Sequence, residues 1–140
     1  MTRVLPDPTD ISADFWDAAA DHRLLVPRCN VTGTYFFPPE RLCPETNTTD
    51  WAYVQSNGRG AVAASTVVFR SPSPKIEAPY VLAVIDLDEG WSMLTNVVDC
   101  DPNTVFIGMR VRATFLDCGD SRALPVFAPD ESPMELFERG

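Results

Sequence analysis

The chain has 140 residues, the size of one ordinary domain, and two full enzymatic domains would not fit in it. Hydrophobic residues make up 45% and charged residues 22%, which is typical of a globular protein and argues against a disordered tail or a fibre. Eleven Lys and Arg against twenty Asp and Glu give a formal net charge of −9. Such an acidic protein repels polyphosphate, which disfavours general binding to nucleic acids or anionic membranes.

The first ten residues contain no apolar run of the kind found in a secretory signal. The longest aliphatic stretches, such as residues 81–85, are far shorter than the roughly 20 residues needed to cross a bilayer. We therefore expect a soluble, cytoplasmic chain. In a reducing compartment its four cysteines suggest a metal site or ordinary burial before they suggest disulfides.

Residues 1–22 are predicted to form an N-terminal arm and one short amphipathic helix over residues 12–22. Apolar residues recur there at spacings of three and four, and Thr9, Asp10 or Ser12 could cap the helix. The helix carries the pair Phe15 and Trp16. These two aromatic residues are either part of the core or a patch offered to a partner.

Residues 23–56 are predicted to form a small β module with cysteine-bearing turns. Its β segments are residues 24–26, 34–37 and 51–54. Pro38 and Pro39 should end the second segment, because proline has no amide hydrogen to donate to a strand ladder.

Residues 57–130 show a consistent strand pattern that predicts a small barrel or sandwich rather than βαβ units. The five expected strands are residues 61–70, 80–88, 92–98, 110–117 and 123–128. The proline-rich residues 71–79 are predicted to form a projecting loop, and Asp101-Pro102 a brief helical turn. In the tail, residues 131–140, Ser132 and Pro133 could begin one more helical turn. The fold class is therefore mostly β with a short N-terminal helix.

The most informative spacing in the sequence joins two turns, Cys29-x-x-Thr32 and Cys43-x-x-Thr46, with ten residues between them. Two C-x-x-C turns at this separation form a zinc ribbon, because each turn directs two thiolates at one tetrahedral ion. Here threonine stands at the second ligand position of both turns. A threonine hydroxyl is not deprotonated near neutral pH and cannot replace a thiolate on zinc. The ligand set is therefore half complete.

Three interpretations of this half site remain open. The one we favour is a metal-free ribbon in which both thiols are buried and the aromatic residues Tyr35, Phe36, Phe37 and Trp51 hold the module together. A Cys29–Cys43 disulfide is the second, and its loop of about 15 residues could contribute on the order of 3 kcal/mol. The third is a makeshift ion site that recruits His22 or Glu45. No cofactor is expected otherwise, and zinc is possible only with an incomplete ligand set.

Autonomous catalysis is constrained because the chain has one histidine. Any Ser-His-Asp or Cys-His arrangement must use His22, which lies near the end of the predicted helix. The sequence contains none of the G-x-S-x-G, H-E-x-x-H or P-loop motifs. We therefore expect no catalytic residues of its own.

Taken in order, these features resemble a family of acyl-CoA-associated proteins that have a rubredoxin-like zinc ribbon followed by an OB-fold and accompany thiolase-like enzymes. The resemblance runs from about Ile11 to Pro129 and departs from the family pattern at Thr32 and Thr46. Beyond the helix and the cysteine spacing, it is carried by residues 36–39, 58–60, 66–70, 79–81, 87–90, 107–109 and 124–127.

The resemblance implies an accessory, non-catalytic subunit of lipid metabolism. Such a subunit binds a thiolase-superfamily enzyme, or a related aldolase, acyltransferase or hydratase, in a hetero-oligomer and helps to form its acyl-CoA site. The apolar anchors of such an interface would be Phe15, Trp16, Phe36, Phe37, Met134 and Phe137. If grouped, Arg28, Arg41, Arg59 and Arg70 could hold the phosphates of CoA.

Two other functions compete with this interpretation. An OB-fold that binds single-stranded nucleic acid would need a basic groove with exposed aromatic residues, which the net charge of −9 argues against. A small autonomous thioesterase or redox protein would depend on His22 or Cys29.

Overall fold

The structure is a computed structural model that describes residues 5–74 and 76–130. Within these residues it contains one α-helix, seven strands and one 3-10 turn. The helix is α1 (Ala13–Ala20), and the 3-10 turn (Pro102–Thr104) lies where Asp101-Pro102 predicts a brief helical turn. The strands are β1 (Leu25–Cys29), β2 (Trp51–Gln55), β3 (Arg59–Val68), β4 (Tyr80–Leu87), β5 (Trp91–Val97), β6 (Arg110–Asp117) and β7 (Ala123–Pro129). The predicted turn at Ser132, and with it Met134 and Phe137, lies outside the described residues.

Helix α1 is shorter at both ends than its predicted span, residues 12–22. Before it, the Thr9 amide donates to Ser12 Oγ at 2.9 Å and the Ser12 amide donates to Thr9 Oγ1 at 3.1 Å. At its end His22 adopts a left-handed backbone with φ 60°. The amide of Arg23 then donates back to Ala18, a pattern that closes the last helical turn.

The ribbon is the two-stranded antiparallel sheet of β1 and β2 together with the loop between them. Residues 34–37, predicted as a β segment, do not form a full strand but do run antiparallel to β1. Tyr35 forms a single antiparallel bridge with Arg28, while the amides of Cys29 and Phe36 continue this pairing over one residue on each side. Pro38 and Pro39 follow immediately, so the pairing has no amide donors with which to extend.

Strands β3 to β7 form a closed barrel in the order β3-β4-β5-β7-β6, with β6 returning to β3. All neighbouring pairs are antiparallel except β5 and β7, which meet in parallel at Val97 and Phe127. The mostly β fold with a short helix, a small N-terminal module and a five-strand OB-fold barrel is thereby confirmed.

The barrel interior depends on one glycine. At Gly60 of β3, a Cβ atom would overlap the carbonyl oxygen of Asp86 on β4 and lie 3.1 Å from Ile85 Cγ2. Gly60 is buried and the overlapping oxygen belongs to the backbone of the neighbouring strand, so the position admits no side chain. Two residues later β3 has a bulge between Val62 and Ala64, which bends the strand around the barrel.

The helix, the ribbon and the barrel share one hydrophobic core. Phe15 of α1 and the ribbon residues Leu24 and Val26 are buried in the same cluster as the barrel residues. Phe37 lies between the elements, with its ring centroid 5.6 Å from Phe15 and 5.3 Å from Trp91. The ribbon is therefore supported by the barrel rather than standing alone. In the described part of the chain, no helix has the length and apolar character to span a bilayer.

Candidate functional site

The two cysteine-bearing turns, here called the knuckles, have the same backbone conformation. The amide of each cysteine donates to the carbonyl oxygen five residues later, Cys29 to Thr34 at 2.9 Å and Cys43 to Thr48 at 2.8 Å. The amide four residues after each cysteine donates back to it, at 2.9 Å for Gly33 and 2.7 Å for Asn47. Gly33 and Asn47 both have a left-handed backbone conformation, with φ of 77° and 59° respectively.

The knuckle side chains meet around the sulfur of Cys29. Both Cys29 and Cys43 are buried, and both are free thiols. The Thr32 amide donates to Cys29 Sγ at 3.5 Å, and Thr46 Oγ1 lies 3.9 Å from the same sulfur. Thr46 Oγ1 is also 2.9 Å from Thr48 Oγ1. The four positions that a zinc ribbon uses as ligands therefore hold two thiols and two hydroxyls, and the contacts among these residues converge on the sulfur of Cys29.

The electrostatic environment of Cys29 favours its thiolate. Hydrogen bonds from the hydroxyl and the amide of Thr32 lower the pKa of the Cys29 thiol to about 7, against the opposing effect of burial. A hydrogen bond with Cys43 acts in the same direction. Hydrogen bonds to an anionic sulfur are the expected cause of such a shift.

The knuckle donor set does not fit zinc, because structural zinc takes four thiolate or imidazole ligands and a neutral hydroxyl is a poor substitute. Among residues 5–74 and 76–130, no three His, Cys, Asp or Glu side chains are grouped to hold a metal ion. His22, which the makeshift ion site would recruit, faces the barrel instead. Its ring stacks on Phe115 with centroids 5.1 Å apart, and its Nε2 lies 3.3 Å from Asp117 Oδ1.

Of the predicted aromatic anchors, four lie in the described residues, and three of these line one apolar cavity of about 310 Å³, here called the helix–barrel groove. They are Phe15, Trp16 and Phe37, and the barrel contributes Leu82, Met93, Leu94, Thr95, Asn96, Leu124 and Pro125. Phe36 is not in the groove. It is buried beside Cys29 and Cys43 in the ribbon, with its ring centroid 5.5 Å from that of Trp51.

The polar groups of the groove are few and satisfied. The Asn96 side-chain amide donates to the Val81 carbonyl oxygen at 2.8 Å, and the Thr95 hydroxyl donates to that of Pro125 at 3.4 Å. At the margin, the guanidinium of Arg122 lies 5.3 Å from the centre of the Trp16 ring. The groove is therefore an apolar surface with a cationic edge, suited to bury another apolar surface.

Beside the groove, the outer face of β4 and β5 exposes apolar side chains that the sequence did not single out. Leu94 is 65% exposed and Leu82 is 36% exposed. Val84 lies directly opposite Leu94 in the sheet register, so these residues share one face of the barrel. The sequence did contain a sign of this exposure. Side chains alternate between the two faces of a strand, so Leu94 shares a face with the polar residue Ser92. Exposed apolar residues elsewhere are Val31, Leu42, Phe69, Phe106 and Ile107.

The four predicted arginines are distributed among different environments. The Arg28 guanidinium lies 5.8 Å from the Tyr35 ring centre, and Arg41 pairs with Asp10 at 3.3 Å. Arg41 also lines a cavity of about 490 Å³ with Asp14, Trp51 and Tyr53. Arg59 begins β3 and Arg70 follows the end of that strand, so the two arginines lie at opposite ends of β3.

A different group of arginines forms where β3 meets β6. Arg59 is directly opposite Arg112, and Ala61 is opposite Arg110. Arg110 holds Asp88 with two hydrogen bonds of 2.9 and 2.6 Å, and this guanidinium lowers the pKa of the Asp88 carboxyl. Arg59 lies 3.9 Å from Asp130. Sequence reasoning missed Arg110 and Arg112, because only the pairing of β3 with β6 brings them beside Arg59.

Two family models match the chain. The ChsH2 rubredoxin-like zinc ribbon domain matches residues 16–45, and the ChsH2 C-terminal OB-fold domain matches residues 53–116. Among solved structures, the chain is similar to one described as the Ltp2-ChsH2(DUF35) aldolase, with a TM-score of 0.81 and 35% sequence identity. That similarity covers 89% of this chain and 98% of the other.

Curated relatives agree with these matches. The chain is 38% identical over 116 residues to the probable enoyl-CoA hydratase alpha subunit of Thermomonospora curvata, which covers 82% of this chain and 36% of that protein. It is 39% identical over 90 residues to a DUF35 domain-containing scaffold protein of Methanocaldococcus jannaschii, which covers 63% of this chain and 64% of that protein. The chain thus spans only part of the length of either relative.

Proposed function

This chain belongs to the DUF35 family with a ChsH2-type ribbon and OB-fold, and from that premise we propose that it is a non-catalytic accessory subunit of an acyl-CoA enzyme. Family membership confirms the resemblance seen in the sequence. The relatives are named as scaffold proteins and as the alpha subunit of a hydratase, and the similar solved structure is named as an aldolase that includes a DUF35 chain. The proposed partner is a thiolase-like or aldolase-like subunit in a hetero-oligomer in the cytoplasm.

The observation that carries the proposal is the helix–barrel groove together with the exposed face of β4 and β5. Trp16, Phe37, Leu82 and Leu94 form one continuous apolar surface along the groove and its margin. A second polypeptide that covered this surface would remove large apolar side chains from water, which is the main source of free energy at such interfaces. Leu94 is the most exposed of these residues in the barrel and is the proposed anchor.

We propose that arginine side chains bind the phosphate groups of the acyl-CoA. The pairing of β3 with β6 places Arg59, Arg110 and Arg112 on one face of a protein of net charge −9, with Arg110 held by Asp88 and Arg59 near Asp130. Guanidinium groups bind phosphate with paired hydrogen bonds, as CoA would require. Of the four arginines named from the sequence, Arg59 is the one that lies in this group. Arg28, Arg41 and Arg70 remain candidates at other positions.

Binding to each thiolase-like or aldolase-like subunit encoded beside this chain tests the proposal. Leu94→Asp should raise the dissociation constant at least about 30-fold, because it places a charge in an apolar interface. Val31→Asp is the matched control, since Val31 is also 65% exposed but lies in the first knuckle. The control should change the constant less than about 3-fold. Native mass spectrometry of the mixed subunits and calorimetric titration provide the two readouts.

Equal effects of the two aspartate variants would contradict the assignment of the interface. A monodisperse monomer that binds none of the neighbouring subunits would contradict the accessory role itself.

A further inference from the structure

The two knuckles share one backbone conformation, although only two of the four positions at which a zinc ribbon carries its ligands are cysteines. Each turn has the same pair of backbone hydrogen bonds and the same left-handed residue, although that residue is glycine in one turn and asparagine in the other. An asparagine in the left-handed region is less favourable than glycine there. The two turns also share the sequence pattern C-x-x-T-[G/N]-T, so the matched conformation follows from matching sequences that no longer carry the full ligand set.

The threonines occupy the places of the absent ligands. Thr32 and Thr46 each stand three residues after a cysteine, and Thr46 Oγ1 is 3.9 Å from Cys29 Sγ of the opposite knuckle. A threonine and a cysteine side chain each place one polarisable or polar atom at the γ position. The hydroxyl thus reaches the point at which a thiolate would face the ion, and there it makes a hydrogen bond instead.

We propose that the knuckles are a converted zinc site, held closed by thiol–hydroxyl hydrogen bonds in place of the ion, and that Thr32→Cys with Thr46→Cys restores tetrahedral zinc binding. The natural chain accordingly folds without metal. Both knuckles have the same backbone hydrogen bonds, and Thr32 and Thr46 of the two turns both contact Cys29 Sγ, so we expect the restored thiolates to converge without movement of the backbone.

The surroundings explain how the ribbon can do without the ion. A structural zinc normally supplies the folding free energy that a very small module lacks. Here the ribbon residues Leu24 and Val26 are buried in the barrel core, and Phe36 with Trp51 covers the two thiols. The indole nitrogen of Trp51 also donates to the Arg41 carbonyl oxygen at 2.9 Å, which ties the second knuckle segment to β2.

The test measures zinc content and thermal stability of the full chain under reducing conditions, with and without a strong chelator. The natural chain should contain no stoichiometric zinc, and its Tm should not move on chelation. The variant T32C/T46C should hold about one zinc per chain and gain roughly 5–10 °C in Tm, which the chelator removes. Cobalt in place of zinc should give the thiolate absorption bands of a tetrahedral site.

A second pair of substitutions keeps the proposal open to refutation if T32C/T46C does not fold. T32V/T46V preserves the side-chain shape but removes both hydroxyls, and it should lower Tm by about 4–8 °C without any change in zinc content. The proposal fails if the natural chain holds one zinc and loses stability on chelation. It also fails if folded T32C/T46C takes up no zinc, or if T32V/T46V is as stable as the natural chain.

Discussion

Tyr53 shows how one side chain connects the ribbon to the arm before the helix. Its hydroxyl donates to the Ile11 carbonyl oxygen at 2.8 Å. Burial, with a smaller contribution from the Asp14 carboxylate, raises the pKa of Tyr53 to about 12 from its ordinary value of 10.0. Both influences disfavour the phenolate, so the fold holds this tyrosine in its neutral, hydrogen-bonding form.

This shift predicts a dependence of stability on alkaline pH. Because the folded pKa lies above the unfolded one, the contribution of Tyr53 is complete below pH 10 and is lost as pH rises toward 12. Tyr53→Phe should cost about 1 kcal/mol at pH 8 through the lost hydrogen bond. The difference in unfolding free energy between the two proteins should shrink by pH 11. Urea unfolding at both pH values measures it, and a constant difference would show that Tyr53 titrates normally.

At the scale of the element, helix α1 divides its two aromatic residues between different tasks. Both residues line the groove, but Phe15 is 5% exposed and belongs to the shared core, whereas Trp16 is only partly buried. The two rings still touch, with centroids 5.1 Å apart and planes at 89°. Adjacent residues on a helix point about 100° apart, so one can face the core while the next reaches its margin.

This difference predicts that alanine at Phe15 mainly lowers stability, whereas alanine at Trp16 mainly weakens partner binding. Phe15→Ala should lower the unfolding free energy by about 3–5 kcal/mol, because it leaves a cavity between the helix and the barrel. Trp16→Ala should cost less stability but should weaken partner binding more than roughly 10-fold. Chemical denaturation and titration with the partner subunit separate the two effects. If Trp16→Ala were the more destabilising variant, the assignment of the two residues would have to be exchanged.

At the scale of the whole molecule, Cys29 and His22, the two residues on which an autonomous enzyme would depend, make contacts with different parts of the fold. Cys29 is fully buried in the knuckles, and its thiol contacts are all within the ribbon. His22 stacks on Phe115 of β6 and meets Asp117. A cysteine or serine nucleophile needs a base within hydrogen-bond reach. Among the described residues, the contacts of His22 include no such nucleophile.

We therefore expect the isolated chain to hydrolyse acyl-CoA thioesters no faster than buffer. His22→Ala and Cys29→Ala should leave this background rate unchanged. A thiol-release assay with short-chain and aromatic acyl-CoA compounds measures the rate, and the complex with the partner subunit is the positive control. Turnover by the chain alone that falls in either alanine variant would overturn the accessory role.

The sequence by itself determined the kinds of elements and their order. Apolar spacing of three and four residues marked the helix, and alternation with proline and glycine boundaries marked the five barrel strands, because these signals are local. The cysteine spacing indicated the two knuckles, and Thr32 with Thr46 showed the deficit of zinc ligands. Ligand chemistry follows from residue identity alone, so this deficit is a property of the sequence.

Only the tertiary structure decided which side chains share a surface. The end of the helix depends on the left-handed backbone at His22. The exposure of Leu82 and Leu94 depends on which face of β4 and β5 points away from the interior of the closed barrel. The all-apolar run of residues 81–85 reveals no outer face by itself. The arginines of β3 and β6 are likewise about fifty residues apart in sequence. Their meeting is a result of strand register, which long-range pairing sets and local sequence does not.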